Sequence, residues 1–183
     1  MKKETTRHSG GRRELWGMAL ITLAVLLLLA LFSYHWQDIS VLQAPPNRPP
    51  LNFIGPAGAW CSFILLMAFG LAAFLLPVLL AILGFVLLFR SQAGLLRYYW
   101  LPAMLLAVGG LLAMHAGQWE QWGRHFNIQG LPGGLCGELI VGRGLEKILG
   151  RIGATVLLSG VLLAGFLMLI GKQGLLKILR AMM

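Results

Sequence analysis

The sequence predicts an all-α integral membrane protein with four transmembrane helices, both termini in the cytoplasm, and an amphipathic outer-face helix between helices 3 and 4. Three observations carry this. Of 183 residues, 58% are hydrophobic and 11% charged, against about 25% charged in a soluble domain, so the apolar excess must face something other than water, and lipid is the natural candidate. Four apolar runs are each near or above the roughly 18 to 20 residues that cross a hydrocarbon core of about 30 Å. The Lys and Arg residues are divided unevenly between the two sides that those runs define.

The chain separates into a tail (1–13), a membrane domain (14–171) and a basic tail (172–183). The first tail, MKKETTRHSGGRR, is polar and contains glycine, which predicts disorder up to about Arg12. Helix 1 is expected over residues 15–34. Its apolar part exceeds the usual 7 to 15 residues of a secretory signal, and Ala30-Leu31-Phe32-Ser33 offers no A-x-A cleavage site, so it reads as an anchor. Pro45, Pro46, Pro49 and Pro50 then forbid a helix and favour an extended, stiff loop.

Helix 2 is expected over 56–89. Pro56 suits the first helical turn, where its missing N–H costs nothing, with Asn52 or Gly55 as caps. A run of this length must tilt, project or bend, and Pro77 is the expected bend. Helix 3 is expected over 100–117 and helix 4 over 152–171. Trp16, Tyr34, Trp36, Trp60, Tyr98, Tyr99, Trp100, Trp119 and Trp122 all fall at or just beyond these ends, where amphipathic rings sit at headgroup level.

The tail 1–13, the 90–99 loop and the tail 172–183 hold 10 Lys or Arg in 35 residues, against 5 in 55 for segments 35–55 and 118–151. Both termini are therefore expected in the cytoplasm. The net charge of +9 is accounted for by basic tails beside anionic lipid, without direct nucleic-acid binding by this segment. Cys61 and Cys136 both fall on the outer side and read as unpaired small hydrophobes, with a disulfide the alternative.

VGRGLEKILGRIG (141–153) invites a phosphate-site reading. On a helix over 135–151, however, Leu135, Leu139, Leu145, Ile148 and Leu149 share one face, while Arg143, Glu146, Lys147 and Arg151 share the other. This segment is too short for a separate crossing and too charged for hydrocarbon, so it lies on the outer interface or dips in among the helices. Gly130, Gly133, Gly134 and Gly137 before it suit a close approach to the membrane surface or to another helix. Neither a dinucleotide fingerprint nor a Walker A run is present: Gly171-Lys172 is followed by Gln173 and preceded five residues earlier by Phe166. No cofactor, metal site, small-molecule substrate or catalytic set is expected; Glu120, His125 and Glu138 read as solvated loop polarity. The apolar spans hold no ionisable side chain apart from His115 near an outer end, which argues against an ion-coupled transporter. Ala68 and Ala72, Ala103 and Ala107, and Gly160 and Ala164 offer four-residue spacings for helix packing.

Two longer motifs then carry a resemblance. Asn52 to Trp60 (NFIGPAGAW) with Phe69 to Pro77 (FGLAAFLLP) resembles the second membrane helix in the N-terminal four-helix domain of FtsK/SpoIIIE-type DNA translocases. Gly133-Gly134-Leu135-Cys136-Gly137 followed by Leu149 to Thr155 (LGRIGAT) is similar to that domain's glycine-rich outer segment leading into helix 4. Helix 1 ending in Leu31-Phe32-Ser33-Tyr34, with Asp38 soon after, also fits, although His35-Trp36-Gln37 replaces the family's Pro-flanked Ser-Asp stretch. The resemblance implies an inner-membrane anchor that gathers at the division septum, contacts other division proteins and holds a DNA-pumping motor whose ATPase motifs this sequence lacks. Together with the polar face of 135–151, these motifs make Gly55, Pro56, Gly58, Trp60, Gly133, Gly134, Gly137, Arg143, Glu146, Lys147 and Arg151 the candidate interaction residues. The lipid bilayer and division proteins are the expected partners, with a homo-oligomer possible in addition. A small transporter or channel subunit is the second reading.

Overall fold

The computed structural model describes residues 7–89, 98, 100–126 and 131–182, and among these no strand occurs. The element order is α1 (Arg7–Phe32), a 3-10 turn (Trp36–Asp38), α2 (Gly55–Phe69), a 3-10 stretch (Gly70–Phe74), α3 (Leu75–Phe89), α4 (Trp100–Met114), α5 (Ala116–His125), a π-helix (Cys136–Arg143) and α6 (Gly144–Met182). Among the described residues three helical segments, Gly11–Phe32, Gly55–Phe89 and Gly144–Leu169, are long and apolar enough to cross a membrane, and Trp100–Met114 is a shorter apolar helix.

The chain forms two compact units, one from Met1–Ile64 with Phe74–Gly94, the other from Leu65–Ala73 with Leu95–Met183. In the first, α1 packs on α3 through two glycines. A Cβ on Gly17 would stand 2.9 Å from the Gly84 carbonyl oxygen, and one on Gly84 would stand 2.8 Å from that of Gly17. The backbones touch there because neither residue has a side chain, the usual device of membrane helices that lack a hydrophobic drive to associate. Outward, Leu15, Met18, Leu23, Val25 and Leu26 are exposed along α1, an apolar surface of the kind that lipid covers.

In the second unit, Ala107, Met114, Ala154 and Leu158 form a buried cluster where α6 lies along α4, with Leu106, Leu145 and Leu162 packed against it. Of the alanine pairs, Ala72 and Ala107 are buried. Gly160 is exposed, and a Cβ there would meet nothing within 4 Å, so it packs no neighbour among the described residues.

Several boundaries differ from the sequence reading. α1 starts at Arg7, so residues 7–13 are helical where a disordered tail was expected; residues 1–6 lie outside the described residues. The bend in the long second run is at Gly70–Phe74 rather than Pro77. Gly70 takes φ +59°, which glycine adopts without a Cβ penalty, while Pro77 lies in the first turn of α3, where a missing N–H removes no bond of that helix. α4 ends at Met114, not 117, because His115 leaves helical geometry at φ −112° and ψ 30° and α5 starts afresh. α6 runs from Gly144 through 182, so residues 172–182 continue the helix.

Candidate functional site

In the first unit the loop between α1 and α2 is folded back on itself rather than extended, with the Asn47 N–H donating to the Gln37 carbonyl at 3.1 Å. Its centre is Asp38, a buried carboxylate. One carboxylate oxygen accepts from the Asn47 side-chain amide at 2.8 Å and from the Leu51 N–H at 3.0 Å; the other accepts from the Asn52 N–H at 2.9 Å. Asn52, also buried, donates its side-chain amide to the carbonyls of Ala30 at 2.8 Å and Ser33 at 3.3 Å, and accepts from the Ile54 N–H at 3.0 Å. Ser33 Oγ accepts from the Phe53 N–H at 2.9 Å and donates to the Leu29 carbonyl at 2.7 Å. The last carbonyls of α1, which have no partner within the helix, are thus tied to the start of α2.

This knot sets the geometry of the first motif. Gly55 opens α2 at φ +73°, its N–H donating to the Asn52 carbonyl at 2.8 Å. Pro56 follows in the first turn, exposed. Gly58 is buried, and a Cβ there would strike Asn52 Oδ1. Trp60 is partly exposed and meets Phe63 edge to face at 5.9 Å. Val41, Leu51 and Phe53 stand out from the loop, exposed by 75%, 51% and 75%.

Burial acts to raise the Asp38 pKa, but the bonds from Leu51, Asn47 and Asn52, with His35 nearby, outweigh it and hold the carboxyl below its ordinary value of 3.8. A carboxyl lowered in the folded state contributes stability above its unfolded pKa of about 3.9, and that contribution is lost as pH falls through the folded value. Acidification through this window is therefore expected to loosen the loop, read as faster proteolysis between residues 38 and 52. Asp38→Asn should remove the acid step; an unchanged acid profile in that variant would refute the assignment.

In the second unit the glycine-rich segment does not lie apart as a surface helix; it is inserted against α4 and the residues around Gly70. The Leu71 N–H, freed by the turn at Gly70, donates to the Pro132 carbonyl at 2.8 Å. A Cβ on Gly133 would fall on the Gly109 carbonyl oxygen and within 2.8 Å of Ala113; one on Gly137 would meet the same Gly109 carbonyl. Gly134, at φ +66°, leaves no room beside the Gly70 nitrogen and the Ala68 and Phe69 carbonyl carbons. Cys136–Arg143 then continues as a π-helix, a wider turn than the α-helix expected over 135–151 and one frequent at functional sites.

Of the charged candidates, Arg143 pairs with Glu138 at 3.3 Å on an exposed surface. Glu146 and Lys147 are exposed on the first turn of α6. Arg151 reaches across to donate to the Met114 carbonyl at 2.7 Å, a cation at the C-terminal end of α4, where the helix dipole and the unpaired carbonyls favour it. Gly150, at φ +68°, interrupts the right-handed path of α6 just before it. Cys61 and Cys136 are both free.

Gly55, Pro56, Gly58 and Trp60 thus gather around the knot in one unit, and Gly133, Gly134 and Gly137 around Gly70 and Gly109 in the other. Sequence reasoning missed Gly109, Gly17 and Gly84, whose partners are remote in sequence, and α5, which Trp119 and Trp122 at a spacing of three foreshadow.

The model of the 4TM region of DNA translocase FtsK/SpoIIIE matches residues 10–182. A curated protein, DNA translocase FtsK of Shewanella oneidensis, is 32% identical over 166 residues, which are 89% of this chain and 18% of that protein. The chain thus spans about a fifth of that relative's length. No solved structure matches it.

Proposed function

The chain belongs to the family of the 4TM region of DNA translocase FtsK/SpoIIIE, and on that premise we propose that it serves as the membrane anchor and interaction module of a cell-division DNA translocase. It crosses the bacterial inner membrane four times with both termini in the cytoplasm and tethers the translocase at the division septum. The match over residues 10–182 carries this reading, and the apolar exterior of α1 and α6 supports it.

α4 has 15 residues, about 22 Å of helix at 1.5 Å per residue, and so it falls short of the hydrocarbon core alone. The segment from Pro132 to Arg143 packs alongside and reaches the break at Gly70, which follows the 15 residues of α2. In this reading it dips into the bilayer. Non-helical backbone at that depth must be satisfied by protein, and the bonds from Leu71 to Pro132, Gly134 to Leu131 and Gly137 to Gly133 meet that demand.

Gly55, Pro56 and Trp60, with the exposed Val41, Leu51 and Phe53, form the outer surface offered to other division proteins, while the buried Gly58 supports it from beneath by letting Asn52 lie against α2. Arg143, Glu146, Lys147 and Arg151 form a second, charged one. DNA binding and ATP hydrolysis are not assigned to these 183 residues. A fluorescent fusion to residues 1–183 is expected to concentrate at midcell in dividing cells; uniform membrane staining would contradict the targeting role.

A further inference from the structure

A cavity of about 280 Å³ opens where α4 ends against α6, lined by His115, Arg151, Ile152, Thr155 and Val156. Hydrogen bonds fix two of the groups that line it. Gly150 at φ +68° turns the start of the apolar stretch, Arg151 crosses to the Met114 carbonyl at 2.7 Å, and Thr155 Oγ donates to the Arg151 carbonyl at 2.9 Å. A guanidinium has five N–H donors, so the bond to Met114 holds it in place while leaving others for a ligand. His115 keeps its Nδ1 on the Leu111 carbonyl at 3.1 Å, so that nitrogen carries the proton in the neutral ring. Among the described residues no carboxylate lines it, and Arg151 makes it cationic. Ile152 and Val156, one turn apart, are 83% and 67% exposed and continue the cavity as an apolar track down α6.

A cationic pocket that fits a headgroup, followed by an exposed aliphatic track, is the chemistry of a phospholipid. We propose that this cavity binds the phosphate of an anionic phospholipid, with Arg151 as the bidentate donor and an acyl chain lying along Ile152 and Val156. Arg rather than Lys suits the task because its planar fork matches two phosphate oxygens. The Thr155 hydroxyl, with its proton on the Arg151 carbonyl, has lone pairs that accept from a headgroup hydroxyl such as that of phosphatidylglycerol. The proposal rests on the membrane placement above, which sets residues 115 and 151 at the outer interface.

The test is native mass spectrometry of the purified protein in neutral detergent, titrated separately with phosphatidylglycerol, phosphatidylcholine and inorganic phosphate. Phosphatidylglycerol is expected to stay bound, phosphatidylcholine to bind at least tenfold more weakly, and inorganic phosphate not to displace the lipid. Arg151→Gln should weaken phosphatidylglycerol about tenfold or more, the scale of one charge-assisted hydrogen bond, Arg151→Lys should recover part of it, and Lys147→Gln should change nothing. Because Arg151 also holds α4, Ile152→Glu is a second variant that sets a carboxylate against the phosphate without removing a buried contact, and it should weaken binding likewise. Equal binding of the two lipids, displacement by inorganic phosphate, an equal loss in Lys147→Gln, or full binding by Arg151→Gln and Ile152→Glu would each overturn the proposal. If the termini label as cytoplasmic while lipid discrimination is absent, the site alone fails and the anchor reading stands.

Discussion

Gly133→Val is expected to unfold the second unit of the protein, lowering its stability by about 3 kcal/mol, the upper end of the range for overpacking. The obstacle to the new side chain is the Gly109 backbone carbonyl, with Ala113 beside it, and neither is the far end of a flexible side chain that can move aside. Relief requires α4 to shift, which breaks its packing on Ala154 and Leu158. Gly137→Val meets the same carbonyl, so the double variant should cost less than the sum of the singles, since one displacement relieves both. Gly160→Ala is the contrasting case. It has open space and ordinary helical φ, so it should be neutral or stabilising by up to about 1 kcal/mol through helix propensity. Thermal melting of the purified protein in detergent measures all of these; equal melting points for Gly133→Val and Gly160→Ala would refute the insertion of the glycine segment.

The second large effect is expected at Asn52. Truncation to alanine removes the side-chain donor to the Ala30 and Ser33 carbonyls and the acceptor for the Ile54 N–H. Each buried partner left without a bond costs about 1 to 3 kcal/mol, so a total of about 3 kcal/mol is expected for this loop. The exposed Arg143–Glu138 pair belongs to a class worth at most about 1 kcal/mol, so Glu138→Gln should scarcely register on the same melt. Asn52→Asp keeps an acceptor for Ile54 but turns a carboxylate oxygen toward the Ala30 and Ser33 carbonyls beside the buried Asp38, and should cost at least as much as alanine. If Asn52→Ala melts no earlier than Glu138→Gln, the knot does not hold the ends of α1 and α2 together.

How much of this was legible in the sequence depends on range. The apolar runs announced the long helices because hydropathy is summed locally, and Gly55-Pro56 marked the start of α2 because a proline in the first turn is tolerated there alone within a helix. The glycines before Leu135 announced a close approach, yet not its partners: Gly109 and Gly70 are ordinary glycines until the chain returns to them. Pro77 drew attention as the bend because proline breaks helices by its own covalent structure. The actual break at Gly70 is instead fixed by the Leu71 N–H finding the Pro132 carbonyl 61 residues away, which no local pattern encodes. Asp38 entered the sequence reading only through the resemblance, and its three donors come from residues 47, 51 and 52, brought back by turns that the prolines suggested would run straight. Arg151, placed on the polar face by helical periodicity, spans to Met114, and Gly150 just before it takes φ +68°, a departure that the periodicity does not register.

The most direct test of the anchor account is its topology. In a background with Cys61 and Cys136 replaced by alanine, single cysteines at Lys2, Val41 and Arg180 are exposed to a membrane-impermeant maleimide in intact cells whose outer membrane has been opened. Val41→Cys is expected to label at once, and Lys2→Cys and Arg180→Cys only after the inner membrane is permeabilised. Labelling of Lys2→Cys and Arg180→Cys from opposite faces would mean an odd number of crossings and would contradict the account.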